Sequence, residues 1–411
     1  MKYSINNIIK KILLFLMFFY CIFYSTFIML QLEFLGKVII SHTQFRTFIL
    51  IIETLYLILF LRKGVVKSKF SKIMIPLLIC STLSLLLGII EFENLTIPIG
   101  VFTNNLLFIF IVYTLGFNNN KINLKPWINS IIIFGIINAI LCILQYLNGN
   151  LIVYSTSNEN VFKSVFYFGK MIRSCGLYTS ALDVGILLSF CTIYCIYNHK
   201  NLCIWKKNIN LLIIILLIVA IITTRTRNVY LFMAFALFYM LLDKILKGNK
   251  KKITCLYLII TILAALFITF KGNSIGNSTE NLYDNIYSST SLDIRLNNWN
   301  NWYNNYFHQN IFEIFWGNCR GQSTGWGTDN MYLEYLSSFG IIGLLLIFKL
   351  FSLIVKQLKK KNDLYANIGL LFILTIFSFG MFNLPETFFM IYLPMLIAAT
   401  NNTDNKESEN L

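Results

Sequence analysis

The chain has 411 residues, of which 57% are apolar and only 13% charged, with a formal net charge of +16. A soluble domain carries about 25% charged residues, and here the apolar residues form long runs, so a soluble fold is excluded. The excess of Lys lies beside those runs rather than on one face or helix, which argues against nucleic-acid binding.

A helix needs about 20 apolar residues to cross a hydrocarbon core of about 30 Å. On that measure the sequence predicts an all-α integral membrane protein with twelve spans. They lie near 8–30, 38–61, 73–90, 99–117, 127–147, 181–197, 209–224, 228–243, 253–270, 331–355, 364–382 and 386–400. The first run follows Lys10 and Lys11, but it is long and lacks a small-residue cleavage site, so a retained helix is expected. Residues 1–270 then hold nine spans, 271–330 one large extracytoplasmic loop, 331–400 three more spans, and 401–411 a polar cytoplasmic tail.

Charge sets the orientation, because short cytoplasmic loops collect Lys and Arg. With the N-terminus inside, the inner segments hold 23 basic residues and the outer ones 9. One inner loop alone carries Arg62, Lys63, Lys67, Lys69 and Lys72. Others carry Lys244, Lys247 and Lys250 to Lys252, and Lys356 with Lys359 to Lys361. Both termini are therefore expected in the cytoplasm. The 209–224 and 228–243 runs, of about 16 residues each, would place the tip between them below the outer surface.

The nine Cys are scattered, mostly within spans, and no Cys/His spacing suggests a metal. Cys175 and Cys319 both fall outside and could pair. No internal repeat of the kind found in many transporters is visible.

Two outer segments are long, about 148–180 and 271–330. The second holds 13 Asn in 60 residues together with Trp299, Trp302, Trp316 and Trp326. Amide side chains and aromatic faces suit a carbohydrate; a solvated, Asn-rich loop is the alternative. The Arg residues discriminate better. Only seven accompany 27 Lys, and Arg173, Arg225, Arg227, Arg295 and Arg320 all fall outside, where cations are disfavoured. A planar guanidinium grips phosphate with two parallel hydrogen bonds. A phosphate ligand at the outer leaflet explains this segregation; interfacial snorkelling is the alternative. Arg225 and Arg227, in TTRTRN, form the sharpest pair.

Three segments together resemble the O-antigen ligase and O-antigen polymerase superfamily of bacterial membrane glycosyltransferases. They are MIRSCGLYTSALDVG at 171–185, TTRTRNVYLF at 223–232, and the stretch from SLDIRLNNWNNWY at 291–303 through FWGNCRGQSTGWGTDNMYLEYLSSFGIIGLL at 315–345. The last ends in a Gly-x-x-Gly turn, Gly340 to Gly343. Ligases of the superfamily carry a His before that helix; here Asp329 and Asn330 stand there, which is more like the polymerases.

The resemblance implies a polymerase that joins undecaprenyl-pyrophosphate-linked repeat units into a surface polysaccharide, O-antigen or capsule, at the outer face of the bacterial cytoplasmic membrane. Arg225, Arg227 and Arg295 would stabilise the pyrophosphate leaving group, and Asp329 would take the acceptor proton. Arg173, Arg320, His308, Trp299 and Asn330 would bind substrate. Asp329 could instead cap the helix that follows. The resemblance implies no metal and no other cofactor. It implies lipid-linked glycan donor and acceptor as ligands, and a flippase and chain-length regulator as protein partners. A ligase-type transferase, or a flippase or transporter of lipid-linked oligosaccharide, are the competing readings. A flippase should line a central cavity with charge, whereas the spans here hold few charges, among them Arg46, Glu53, Asp183 and Lys349.

Overall fold

The structure is a computed structural model. It describes residues 71–92, 95–117, 124–150, 167–168, 171–178, 180–199, 202, 204–275, 290–307, 310–319, 330–361 and 363–380. It also describes residues 12, 15–16, 33–34, 37–38, 47–52 and 54–55. Apart from turns and two short antiparallel pairings, the described residues are helical. In the pairings, β1 (Glu33–Phe34) meets β2 (Lys37–Val38), and β3 (Tyr167–Phe168) meets β4 (Met171–Ile172).

The main helices follow the apolar runs. They are α1 (Ser71–Glu91), α2 (Thr96–Phe117), α3 (Leu124–Asn148), α4 (Ala181–Asn198), α5 (Ile204–Thr223), α6 (Arg227–Ile245) and α7 (Lys250–Ile275). After them come α8 (Thr290–Phe307), α9 (Ile311–Trp316), α10 (Met331–Lys359) and α11 (Leu364–Phe379). Short polar side chains begin several of them. Ser180 accepts a hydrogen bond from the Leu182 amide, Asn310 from that of Phe312, and Asp363 from that of Ala366. Each satisfies a donor that the first helical turn leaves free.

Six of the helices are long and apolar enough to cross a membrane: Lys72–Glu91, Lys125–Asn148, Ala181–Asn198, Lys206–Thr223, Arg227–Ile245 and Met331–Lys359. The protein is therefore built as a helical membrane protein. Helix α11 is apolar but only 16 residues long. Helices α2 and α7 coincide with the expected spans 99–117 and 253–270. The expected spans 8–30, 38–61 and 386–400 lie mostly or wholly outside the described residues, as does the 401–411 tail.

Helix α4 is the hub, with 78% of its span buried, against 28–44% for the other five. It packs on α3, α5, α6 and α11, while α1 packs on α2 and α10. Its approach to α6 depends on Gly185, where a Cβ would lie 2.3 Å from a Val229 methyl. Small residues that let backbones close in are a common way for helices to associate in lipid. Hydroxyls join α7 to α11: Tyr257 pairs with Thr375 at 3.1 Å, and Ser378 donates to Thr261 at 2.8 Å.

Three expectations change. The 209–224 run belongs to a 20-residue helix and 228–243 to a 19-residue one, so neither helix is as short as its apolar run. The added residues of α5 lie at its basic end, with Lys206 and Lys207. The large loop contains helices α8 and α9. On α8, Arg295, Trp299, Trp302 and Tyr306 fall at helical spacing on one face, a pattern masked by the surrounding Asn. The third change is in α10, which is broken at Gly340 (φ 68°, ψ −174°).

Candidate functional site

The site is built around the tip between α5 and α6. Helix α5 ends in threonines that satisfy its own last carbonyls. Thr223 donates to Ala220 O at 2.8 Å and Thr224 to Ile221 O at 2.7 Å. Arg225 then takes the left-handed conformation, φ 48°. Glycine commonly ends helices this way, while an L side chain there costs about 1–2 kcal/mol. An Arg held in such a conformation is a pointer to function. Its Nη2 donates to the Tyr146 hydroxyl at 2.9 Å, and its guanidinium carbon lies 5.0 Å from the centre of that ring.

Arg227 begins α6 and is exposed. Arg173 lies close enough for their charges to interact. Burial, and then the charge of Arg227, push the Arg173 guanidinium below its ordinary value. The segment bearing Arg173 is fixed to the tip by a hydrogen bond from the Ser174 amide to Thr223 O, 3.3 Å. Helix α3 holds the same segment from the other side. Gln145 accepts from the Cys175 and Gly176 amides at 3.0 and 2.9 Å and donates to Gly176 O at 2.9 Å. Asn138 accepts from the Leu177 amide at 2.9 Å. Both amide side chains are fully buried. From α8, Arg295 Nη1 reaches Asn228 Oδ1 in a long contact of 3.5 Å.

The tip thus gathers Arg173, Arg225, Arg227 and Arg295 from three separate stretches of chain. It does not keep Arg225 and Arg227 as one pair. The left-handed turn sends Arg225 to Tyr146 on α3, while Arg227 interacts with Arg173. A buried carboxylate, Asp183 in the first turn of α4, begins the helix that follows the Arg173 segment. There it is also favoured by the helix dipole.

The other expected site residues divide. Asn330 is the N-cap of α10, its Oδ1 accepting from the Tyr332 and Leu333 amides at 2.9 and 3.3 Å. The capping role weighed for Asp329 is therefore filled by its neighbour. Trp299 is half-buried against the core. Trp302 is buried and stacks on Tyr306 with centroids 4.5 Å apart. Trp316 is partly buried against the core as well. Trp302 and Trp316 serve packing, and Tyr303, 59% exposed, is an open aromatic face on α8. Cys175 and Cys319 are both buried thiols not joined in a disulfide, so they do not form the pair considered above. Asp329, Arg320, His308 and Trp326 lie outside the described residues.

Sequence reasoning missed Tyr146, Asn138, Gln145 and Asn228. The one available signal was the pair of amides Asn138 and Gln145, seven residues apart on one face of an apolar helix. Polar groups in a span usually have a specific partner.

No family model matches the chain, and no characterised protein matches it significantly.

Proposed function

We propose that the protein is a polysaccharide repeat-unit polymerase acting on lipid-linked glycans at the outer face of the bacterial cytoplasmic membrane. What supports this reading is one convergence. Two of the stretches that carry the family resemblance, 171–185 and 223–232, and the 291–303 part of the third meet at the α5–α6 tip, through the Ser174–Thr223 hydrogen bond and the Arg295–Asn228 contact.

In the proposed reaction, the bond from the anomeric carbon of the donor glycan to its pyrophosphate oxygen breaks. A bond from that carbon to an acceptor hydroxyl oxygen forms. The hydroxyl proton passes to Asp329, and the electron pair of the broken bond leaves on the pyrophosphate. Negative charge grows on that group in the transition state. Fixed guanidinium groups aimed at it stabilise it as an oxyanion hole does elsewhere. Arg173, Arg227 and Arg295 take that role, with Arg225 braced by Tyr146 beside them. Arg320, His308, Trp299 and Asn330 retain their proposed part in holding the sugars.

Deleting the gene in its native strain is expected to leave single repeat units and no long polymer on sugar gels of surface glycan. Polymer of normal length would refute the reading. Polymer accumulating on the lipid carrier would favour the ligase alternative.

A further inference from the structure

The second dense polar feature of the molecule lies where α9 turns into Gly317, Asn318 and Cys319. This hook is wedged between α1 and α10. The Asn318 amide donates to Ser337 O at 3.1 Å, and the Cys319 amide donates to Ser84 Oγ at 2.8 Å. Asn318 Nδ2 donates to Glu91 at 2.6 Å and reaches Glu313 at 3.4 Å. The backbones nearly touch. A Cβ on Gly340 would lie 2.2 Å from Phe315 O, and one on Gly88 would lie 2.3 Å from Asn318 O.

Helix rise gives the depth of this hook twice over. Sixteen residue steps along α1 separate Gly88 from Lys72, which borders a basic loop. Sixteen along α10 separate Gly340 from Lys356, in the basic last turn. At 1.5 Å per residue both distances are about 24 Å, short of the hydrocarbon thickness of about 30 Å. The hook therefore lies below the far surface of the membrane. Irregular backbone is tolerated there only when buried in protein, and Asn318 and Cys319 are buried with their amides bonded.

On the other side of α9, Ile311, Phe312 and Phe315 are 62%, 61% and 44% exposed. The two helices that hold the hook also expose apolar side chains, Leu86 and Ile90 of α1 and Leu345 of α10, all more than half exposed. We propose that Ile311–Cys319 is re-entrant, dipping into the far leaflet with Ile311, Phe312 and Phe315 against lipid acyl chains. The polar side of α9, carrying Glu313, is turned to Asn318. The hook thereby belongs to the membrane body of the protein rather than to a water-exposed loop. The inference does not depend on the proposed reaction.

Photo-crosslinking tests it in the full chain. Phe312 and Phe315 are replaced singly by p-benzoylphenylalanine, which keeps the aromatic ring, and the protein is placed in vesicles of radiolabelled phosphatidylethanolamine and phosphatidylglycerol. Ile79, 52% exposed in mid-α1, serves as the lipid-facing control, and Asn301, exposed on α8, as the water-facing one. Lipid label captured at both Phe positions at the Ile79 level, several-fold above Asn301, is the expected result. Capture no higher than at Asn301 would overturn the proposal, with the Ile79 variant confirming that the protein is folded and inserted. So would crosslinking to another part of this chain, which would mean that protein covers this face.

Discussion

Around the α5–α6 tip, like charges stand close together, Arg173 beside Arg227, and Arg225 occupies a backbone conformation that a side chain disfavours. At the α9 hook, backbone amides are bonded, Asn318 donates to the Glu91 and Glu313 carboxylates, and glycines allow contacts that no other residue could make, while Cys319 is left-handed like Arg225, φ 51°. Sixteen residue steps separate Lys207 from Thr223 along α5, as they separate Lys72 from Gly88 along α1. The contrast between tip and hook separates two demands. The hook, where Asn318 meets two carboxylates and glycines let backbones close in, holds helices together. The tip, which accumulates positive charge, carries a feature that stability alone does not select.

Changes that strike one region and spare the other can break this contrast. The largest effect is expected at Asp329, which stands one residue before the cap of α10. Because Asn330 caps that helix, Asp329→Asn removes the proposed base and leaves the cap intact. Polymer formation by the purified protein should fall by about 10²–10⁴-fold, the usual contribution of a positioned base, with the thermal midpoint unchanged. Activity near normal would remove Asp329 from the reaction and direct attention to Glu334.

Next is Gly340→Ala. Its φ of 68° and the 2.2 Å approach to Phe315 O leave no place for a methyl group. Overpacking and backbone strain of this kind cost about 1–3 kcal/mol each. The variant should unfold at a clearly lower temperature in detergent. Gly100→Ala, with nothing within 4 Å of the added carbon, should not. Equal midpoints for the two would mean that the hook is looser than described.

Gln145→Leu removes three hydrogen bonds from the Arg173 segment, each worth about 0.5–1.5 kcal/mol net. It should lower stability by about 2–3 kcal/mol and reduce polymer yield as well, because Arg173 loses its support. A loss of stability with the activity per folded molecule unchanged would separate Arg173 from the site. The smallest expected change sharpens the contrast most. Arg225→Gly relieves a left-handed residue, worth about 1–2 kcal/mol, but loses the bond to Tyr146, worth about 0.5–1.5 kcal/mol, so stability should change by less than about 1 kcal/mol while polymer formation falls.

Much of the fold was legible in the apolar runs, because a membrane span has to be a helix that satisfies its own backbone. The expected spans 73–90, 127–147, 181–197 and 331–355 each match a helix to within several residues. The site was legible only in part. The Arg residues stood out because Lys was the general cation, but the turn that parts Arg225 from Arg227 depends on one backbone angle and leaves no mark in composition. The four Trp of the large loop read alike in sequence. Trp302 stacks on Tyr306 and Tyr303 lies open, because helix phase puts neighbouring residues on different faces. Gln145 and Gly176 are 31 positions apart, and nothing local signals such a pairing.

The tip is proposed to hold a phosphate with forked guanidinium groups, and Arg227→Lys probes that grip. Lysine keeps the charge and loses the fork. The measurement is the initial rate of polymer formation from undecaprenyl-pyrophosphate-linked repeat units, by the purified variant in vesicles at matched protein amount. One charge-assisted hydrogen bond lost in the transition state, worth about 1.5–3 kcal/mol, predicts a rate roughly 10- to 150-fold below the unmodified protein, nearly as low as Arg227→Ala. A Lys variant within about twofold of the unmodified rate, a difference below about 0.5 kcal/mol, would contradict the account.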